Sequence, residues 1–119
     1  MILIVAGNPD LARIWARHLE RQNCDVIVAT SASNAVDRIR EANVDVIVLD
    51  LMLANGSAFS VADYASYRRP GAKIVYVTRS SFFSDGSLFQ HSPNTAAILQ
   101  EDASPSDLAE IVAYHGRAG

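Results

Sequence analysis

The segment VIVLDLML, residues 46–53, is the part of the sequence that decides the fold. Four aliphatic residues lead directly into Asp50, and such an unbroken apolar run is typical of a strand buried on both faces of a parallel sheet. Asp50 then falls at the carboxyl end of the strand, where the loops of open α/β sheets diverge and ligands bind. An aspartate after a strand can also act only as a turn former that bonds nearby backbone amides. Both interpretations of Asp50 are open at this point.

Length and composition predict one domain over residues 1–119. Half of the 119 residues (50%) are hydrophobic, which is enough to form a core. No segment approaches the roughly 20 apolar residues that span a bilayer, and the chain opens on a strand-like run without a basic leader, so we expect a cytoplasmic protein that binds no membrane. The net charge of -3, with both signs interspersed, argues against a nucleic-acid-binding surface.

Strand-like and helix-like segments alternate along the chain. The predicted strands cover residues 1–6, 25–30, 46–50, 73–77 and 95–99. A first helix is predicted from Asp10, with Asn8 as N-cap and Pro9 at the first helical position. Further helices are predicted from the serine cluster at residue 31, up to residue 67, and from Ser104 as N-cap. A short irregular helix is expected between residues 81 and 94. In the first helix the apolar spacing predicts a buried stripe. Its members are Leu11, Ile14, Trp15, His18 and Leu19.

This alternation predicts an α/β fold with helices on both faces of a parallel sheet. Right-handed crossovers leave few topologies for five βα units, and the flavodoxin-like (βα)5 doubly wound sheet with strand order 2-1-3-4-5 is the expected one. Its switch point lies between the first and third strands. Gly7 and Asp50 are therefore expected to meet at one crevice.

The order and spacing of four motifs resemble the receiver domain of bacterial two-component response regulators. The motifs are ILIVxxNPDL at the start of the chain, VIVLDLML in the middle, IVYVT at the fourth strand, and SPSDLAEI at the start of the last helix. The resemblance implies that Asp50 is the phosphoacceptor of a histidine kinase. It also implies that the hydroxyl of Thr78 hydrogen-bonds the phosphoryl group.

The metal-binding positions depart from the family pattern. Receiver domains carry two adjacent acidic residues after the first strand, which hold Mg²⁺ together with the phosphoacceptor, and the resemblance places Ala6 and Gly7 there. Mg²⁺ needs hard oxygen ligands, which neither side chain supplies. Asp10, on the first turn of the first helix, is expected to point away from the crevice. Asp50 would be the only remaining ligand, so we expect no metal and no other cofactor.

The switch positions depart from the pattern as well. Counting back from the last helix places Glu101 where the family has its lysine and Asp102 where it has a proline. A carboxylate at position 101 repels a phosphoryl group that the lysine would neutralise. The aromatic switch residue of the family aligns with Ile98, and Ala58 replaces a common glycine. Both halves of the family's switch are therefore altered.

Three classes of function compete for this sequence. The first is an atypical receiver-like domain that signals through protein–protein contact, with weak or no Mg²⁺-dependent phosphorylation. The second is a working receiver that is phosphorylated on Asp50. The third, a nucleotide- or flavin-binding enzyme, lacks support because the sequence has neither a G-x-G-x-x-G turn nor a P-loop lysine, so we expect no enzyme. The resemblance suggests a histidine kinase or output protein as partner, or a homodimer, and Phe83 or Phe89 is expected at such a contact.

Overall fold

Five parallel strands form one sheet in the computed structural model, which describes residues 1–53, 58–78, 94–100 and 103–118. The strands are β1 (Ile2–Val5), β2 (Val26–Ala29), β3 (Val46–Asp50), β4 (Lys73–Thr78) and β5 (Thr95–Gln100). Their order in the sheet is β2-β1-β3-β4-β5, and every pair of neighbours is parallel. The predicted flavodoxin-like topology and strand order are confirmed.

Four helices lie within the described residues. They are α1 (Pro9–Arg21), α2 (Ala32–Glu41), α3 (Ala58–Arg68) and α4 (Pro105–Ala118). Side-chain oxygens of Asn8, Ser31 and Ser104 accept hydrogen bonds from backbone N–H groups in the first turns of α1, α2 and α4. These caps satisfy donors that a helix cannot satisfy itself, and they confirm the predicted starts of those helices. The helix expected between residues 81 and 94 falls outside the described residues, apart from residue 94.

The central strand β3 is buried along its whole length because helices cover both faces of the sheet. On one face, Ile47 and Leu49 belong to a cluster that includes buried residues of α2 and α3. On the other face, Val46 and Val48 belong to a cluster that includes buried residues of α1 and α4. Strand β3 thus contributes side chains to two separate hydrophobic cores, one on each face of the sheet. No helix in the described part of the chain is both long and apolar enough to cross a bilayer.

The buried stripe of α1 is rotated from the predicted one. Trp15 and Leu19 are buried as expected, but Ile14 is 42% exposed and Ala12 takes a fully buried position. Small residues allow close approach of neighbouring elements, and α1 packs against α4, whose Ala109 is also buried. The prediction that Ile14 is buried was wrong because apolar spacing alone gives no weight to alanine.

The C-terminal end of α2 is capped by two arginines from the end of α3. Arg69 donates from Nε to the carbonyl of Ile39 at 3.0 Å and from Nη2 to the carbonyl of Arg40 at 3.2 Å. Arg68 donates from Nη2 to the same carbonyl of Arg40 at 3.2 Å. The last carbonyls of a helix have no partner within that helix. The Arg68-Arg69 pair supplies those partners and joins the two helix ends.

Helix α1 ends in a Schellman motif around Asn23. The backbone N–H of Asn23 donates to the carbonyl of Glu20 at 3.0 Å, and that of Cys24 donates to the carbonyl of Leu19 at 3.2 Å. Asn23 has a φ of 63°, the left-handed conformation that this motif requires. Asparagine tolerates that conformation better than other residues with a Cβ.

We expect Asn23→Ala to lower the free energy of unfolding by about 1 kcal/mol, because alanine is strained in the left-handed region. Asn23→Gly is expected to be neutral or stabilising, since glycine adopts positive φ without strain. Urea denaturation of the three proteins measures both effects. Equal destabilisation by alanine and glycine would instead assign the effect to the lost amide group.

Candidate functional site

Asp50 is the last residue of β3, and its side chain is nearly buried at the carboxyl edge of the sheet. It is 5% exposed, and its Oδ1 accepts a hydrogen bond from the backbone N–H of Met52 at 2.9 Å. This bond is the turn contact that the alternative interpretation predicted. Both predicted features of Asp50 are thus present, since the carboxylate shapes the loop after β3 and also lies where sheets of this kind bind ligands.

Thr78 ends the neighbouring strand β4 and is 1% exposed. The register pairs Asp50 with Val77, so Thr78 lies one residue beyond that pair. The sheet thereby places a carboxylate and a hydroxyl on adjacent strands at the same edge. A hydroxyl donates one hydrogen bond and accepts two, which suits it to contact an anion bound near the carboxylate.

Gly7 follows β1 and lies against the loop after β3, as the predicted crevice requires. A Cβ on Gly7 would be 4.0 Å from Cδ1 of Leu53, an ordinary van der Waals distance. Leu53 is 4% exposed and belongs to the core on the α2 and α3 side. Ala6 is fully buried and donates from its backbone N–H to the carbonyl of Ala29 at 3.1 Å. Among the described residues, the end of β1 and the first part of the loop after β3 therefore offer backbone and hydrocarbon beside Asp50.

Among the described residues, the side chains at this edge do not form a donor set that fits Mg²⁺. Mg²⁺ prefers an octahedron of oxygen ligands, but Ala6, Gly7 and Leu53 have no side-chain oxygen. Asp10 is exposed on the first turn of α1, where its Oδ1 is 3.9 Å from Nη1 of Arg13. Within the described segments, no three His, Cys, Asp or Glu side chains come together in a way that could hold a metal ion. Asp50 is the only carboxylate that the sheet places there among the described residues.

The other predicted site residues are described only in part. Ile98 lies on β5, half-buried, and packs against the core on the α2 and α3 side. Ala58 is the first residue of α3 and is 1% exposed. Glu101, Asp102, Phe83 and Phe89 lie outside the described residues, so their predicted roles stay predictions.

The sequence analysis did not predict two features, one in the loop after β3 and one at the opposite edge of the sheet, where α2 and α3 end. Leu53 was interpreted only as part of a loop, although an apolar residue three positions after Asp50 is a signal for a buried anchor. The Arg68-Arg69 pair was interpreted only as the end of a helix, whereas it caps α2. Arginines next to a helix-ending Pro70 could have suggested a bond to helix carbonyls.

The strand order, with a carboxylate and a hydroxyl at the ends of β3 and β4, defines a receiver-like α/β domain. A family model described as response regulator receiver domain matches residues 2–87. The chain belongs to the response regulator receiver domain family and is a domain of two-component signalling.

Curated relatives are similar over part of their length. The heme response regulator HssR of Staphylococcus saprophyticus is 30% identical over 59 residues, which cover 50% of this chain and 26% of that protein. The probable transcriptional regulatory protein TcrX of Mycobacterium tuberculosis is 27% identical over 84 residues, covering 71% of this chain and 36% of that protein. The chain thus aligns with 26% and 36% of the length of these two relatives.

Solved structures share the fold at low sequence identity. The receiver domain of Francisella response regulator 1452 gives a TM-score of 0.86 at 18% identity, covering 98% of this chain and 96% of that one. A CheY-like receiver domain from Methanospirillum hungatei gives a TM-score of 0.82 at 22% identity, covering 99% of this chain and 97% of that one. The agreement in fold with these structures therefore covers nearly the whole chain, beyond the residues that the family model matches.

Proposed function

We propose that this receiver domain transmits signals by protein–protein contact and that Mg²⁺-dependent phosphorylation of Asp50 is weak or absent. The observation that carries the proposal is the end of β1 beside Asp50, where Ala6 and Gly7 present no side-chain oxygen. Phosphoryl transfer to a carboxylate depends mostly on positioning and on cations that offset the developing charge. The described residues add no second carboxylate ligand to Asp50, so they give little of that help.

The charge at position 101 supports the same proposal from the sequence. The resemblance aligns Glu101 with the family's lysine, and exchanging an ammonium for a carboxylate turns an attraction to a phosphoryl group into a repulsion. Ile98 supports it as well, because an aliphatic side chain replaces the aromatic ring whose rotation couples phosphorylation to partner binding in the family. In this proposal, the carboxylate at position 101 weakens phosphorylation itself, and the aliphatic side chain at position 98 weakens the conformational response to it.

A working phosphoacceptor is the second candidate, and the placement of Asp50 and Thr78 favours it. In that reaction an oxygen of the Asp50 carboxylate attacks phosphorus, a P–O bond forms, and the donor leaves with the electron pair of the bond that breaks. Thr78, at the end of the adjacent strand, would donate its hydroxyl hydrogen to a phosphoryl oxygen. This candidate needs a source of positive charge that the described residues of the site do not supply.

The partners proposed for this chain follow from the relatives. HssR is named a response regulator and TcrX a transcriptional regulatory protein. We propose that this domain docks with a histidine kinase or an output protein, or pairs with a second copy. Phe83 and Phe89 remain the expected contact residues in the part of the chain that the structure does not describe.

We expect little or no phosphate adduct on the wild-type protein after incubation with acetyl phosphate, with or without Mg²⁺, because the described residues of the site supply no cation that offsets the phosphoryl charge. Intact-mass spectrometry measures the adduct, circular dichroism checks that the protein is folded, and Asp50→Asn is the matched control. A Mg²⁺-dependent adduct that disappears in Asp50→Asn would overturn the proposal and establish the second candidate.

A further inference from the structure

The solvent side of α3 carries two tyrosines on one stripe. Tyr64 and Tyr67 have ring centroids 6.5 Å apart, with their planes tilted by 47°. Tyr64 is half-buried and packs against the core, whereas Tyr67 is 83% exposed, more than any other large apolar or aromatic side chain in the described residues. An aromatic ring held against an anchored neighbour loses little freedom when a partner covers it.

Arg68 continues this stripe toward α2 and brings positive charge beside the rings. Its Nη2 bond to the carbonyl of Arg40 holds the guanidinium group across the two helix ends. A carbonyl carries no net charge, so this contact orders the guanidinium group without neutralising it. Within the described segments, neither Arg68 nor Arg69 forms an ion pair. A guanidinium group has five N–H donors, and the contact to Arg40 uses one of those on Arg68.

The local charge around these rings opposes that of the whole chain. The last turns of α2 and the second half of α3, with the residue that follows it, carry four arginines, against the three carboxylates of Asp37, Glu41 and Asp63. Asp37 is already bonded to Arg40, with Oδ1 2.8 Å from Nη2. The chain as a whole carries a formal charge of -3. The arginines are Arg38, Arg40, Arg68 and Arg69.

We propose that the Tyr–Arg face, formed by Tyr64, Tyr67, Arg40 and Arg68, docks an acidic segment of a partner protein. An apolar side chain of that segment packs on Tyr67, and its carboxylates bind the open donors of Arg68, because planar guanidinium groups fit carboxylates in a bidentate way. Tyrosine and arginine are enriched among the residues that carry binding energy at interfaces. The inference rests on the proposed function, since it names the surface through which contact-based signalling would work.

The probe that tests this inference is a fluorescein-labelled peptide of about 15 residues, long enough for roughly four helical turns. It is rich in glutamate, with interspersed leucine and phenylalanine, and a matched peptide carries glutamine in place of each glutamate. Fluorescence anisotropy measures affinity, and NMR chemical shifts of the ¹⁵N-labelled protein locate the contact. We expect the acidic peptide to bind more tightly than its glutamine analogue, with shifts centred on Tyr67 and Arg68.

Tyr67→Ala and Arg68→Glu are each expected to weaken acidic-peptide binding by about tenfold or more, as for central interface residues. Tyr114→Ala on α4, which removes another exposed ring (65% exposed), and Arg17→Glu on α1 are the matched controls and should bind like wild type. Unchanged binding by both test variants, or shifts centred on the exposed arginines of α1, would overturn the inference. Self-association that disappears in Tyr67→Ala would also overturn it, by assigning the face to a second copy.

The same titration separates this inference from the proposed function. It is run without a phosphodonor on wild type and on Asp50→Asn, and again after acetyl phosphate treatment. If the peptide binds at the Tyr–Arg face only after phosphodonor treatment, the inferred docking face stands and the proposed phosphorylation-independent contact is contradicted. Binding without a phosphodonor but at another surface would contradict the face and leave the proposed function in place.

Discussion

The double variant Ala6→Asp/Gly7→Asp is expected to gain a Mg²⁺-dependent rise in melting temperature that the wild-type protein does not show. Gly7 is not in the left-handed region, and a Cβ there would meet only Leu53 at 4.0 Å, so an aspartate fits without strain. With Asp50, the two new carboxylates supply the hard oxygens that Mg²⁺ prefers. At ten times the dissociation constant, binding adds about 1.4 kcal/mol, or a rise of roughly 6 °C in melting temperature.

The stability of the double variant in the absence of metal, compared with that of the wild type, provides a further check. Ala6 is fully buried, so a carboxylate there brings desolvation and repulsion from Asp50, and the double variant should be less stable than wild type in EDTA. Ala6→Asn/Gly7→Asn is the matched control of the same shape with no charge. An equal Mg²⁺ response in wild type and in the asparagine control would show that the metal binds elsewhere.

Trp15→Ala is expected to have the largest effect on stability, a loss of about 3–5 kcal/mol in the free energy of unfolding. Trp15 is 1% exposed and lies in the core between the sheet and the α1 and α4 layer. Truncating it removes buried apolar surface and leaves a cavity that the close-packed surroundings fill only in part. Since domains of this size have about 5–15 kcal/mol in total, urea denaturation should show a large shift of the midpoint.

Ile14→Ala is the matched control for Trp15→Ala on the same helix. Ile14 is 42% exposed, so its truncation removes less buried surface, and alanine is the better helix former. We expect a loss of less than about 1 kcal/mol. A cost at Ile14 as large as that at Trp15 would mean that α1 sits with the rotation predicted from the sequence rather than the one observed.

The sheet could be predicted from the sequence because its signals are local and repeat. Each strand is a short run of β-branched and leucine residues between turn residues, and the alternation with helices leaves few topologies. The rotation of α1 could not be predicted in the same way. It depends on how closely α1 and α4 approach, and the buried Ala12 and Ala109 permit an approach that a count of large apolar residues does not reveal.

The candidate site was also predictable only in part. The position of Asp50 was predicted because strand ends are visible in the sequence and parallel strands bring their carboxyl ends to one edge, whereas the role of Thr78 came from the family resemblance. Leu53 lies near Gly7 although the two residues belong to different loops, and no periodic pattern encodes this proximity. The same holds for Arg68 and Arg69, whose bonds reach back to α2. Local sequence patterns therefore do not determine the contacts between elements that are distant in sequence.

The arginine caps on α2 bear on the order in which the chain folds during synthesis. The bond from Arg69 to the carbonyl of Ile39 spans 30 positions. A chain emerging from the ribosome therefore reaches residue 69 well after α2 itself has left, and until then the last carbonyls of α2 have only water as partner. Domains tend to fold from the N-terminus as they are made. In this domain the arginine caps on α2 can form only after residue 69 has been translated, so the completion of α2 depends on the helix that follows the candidate site.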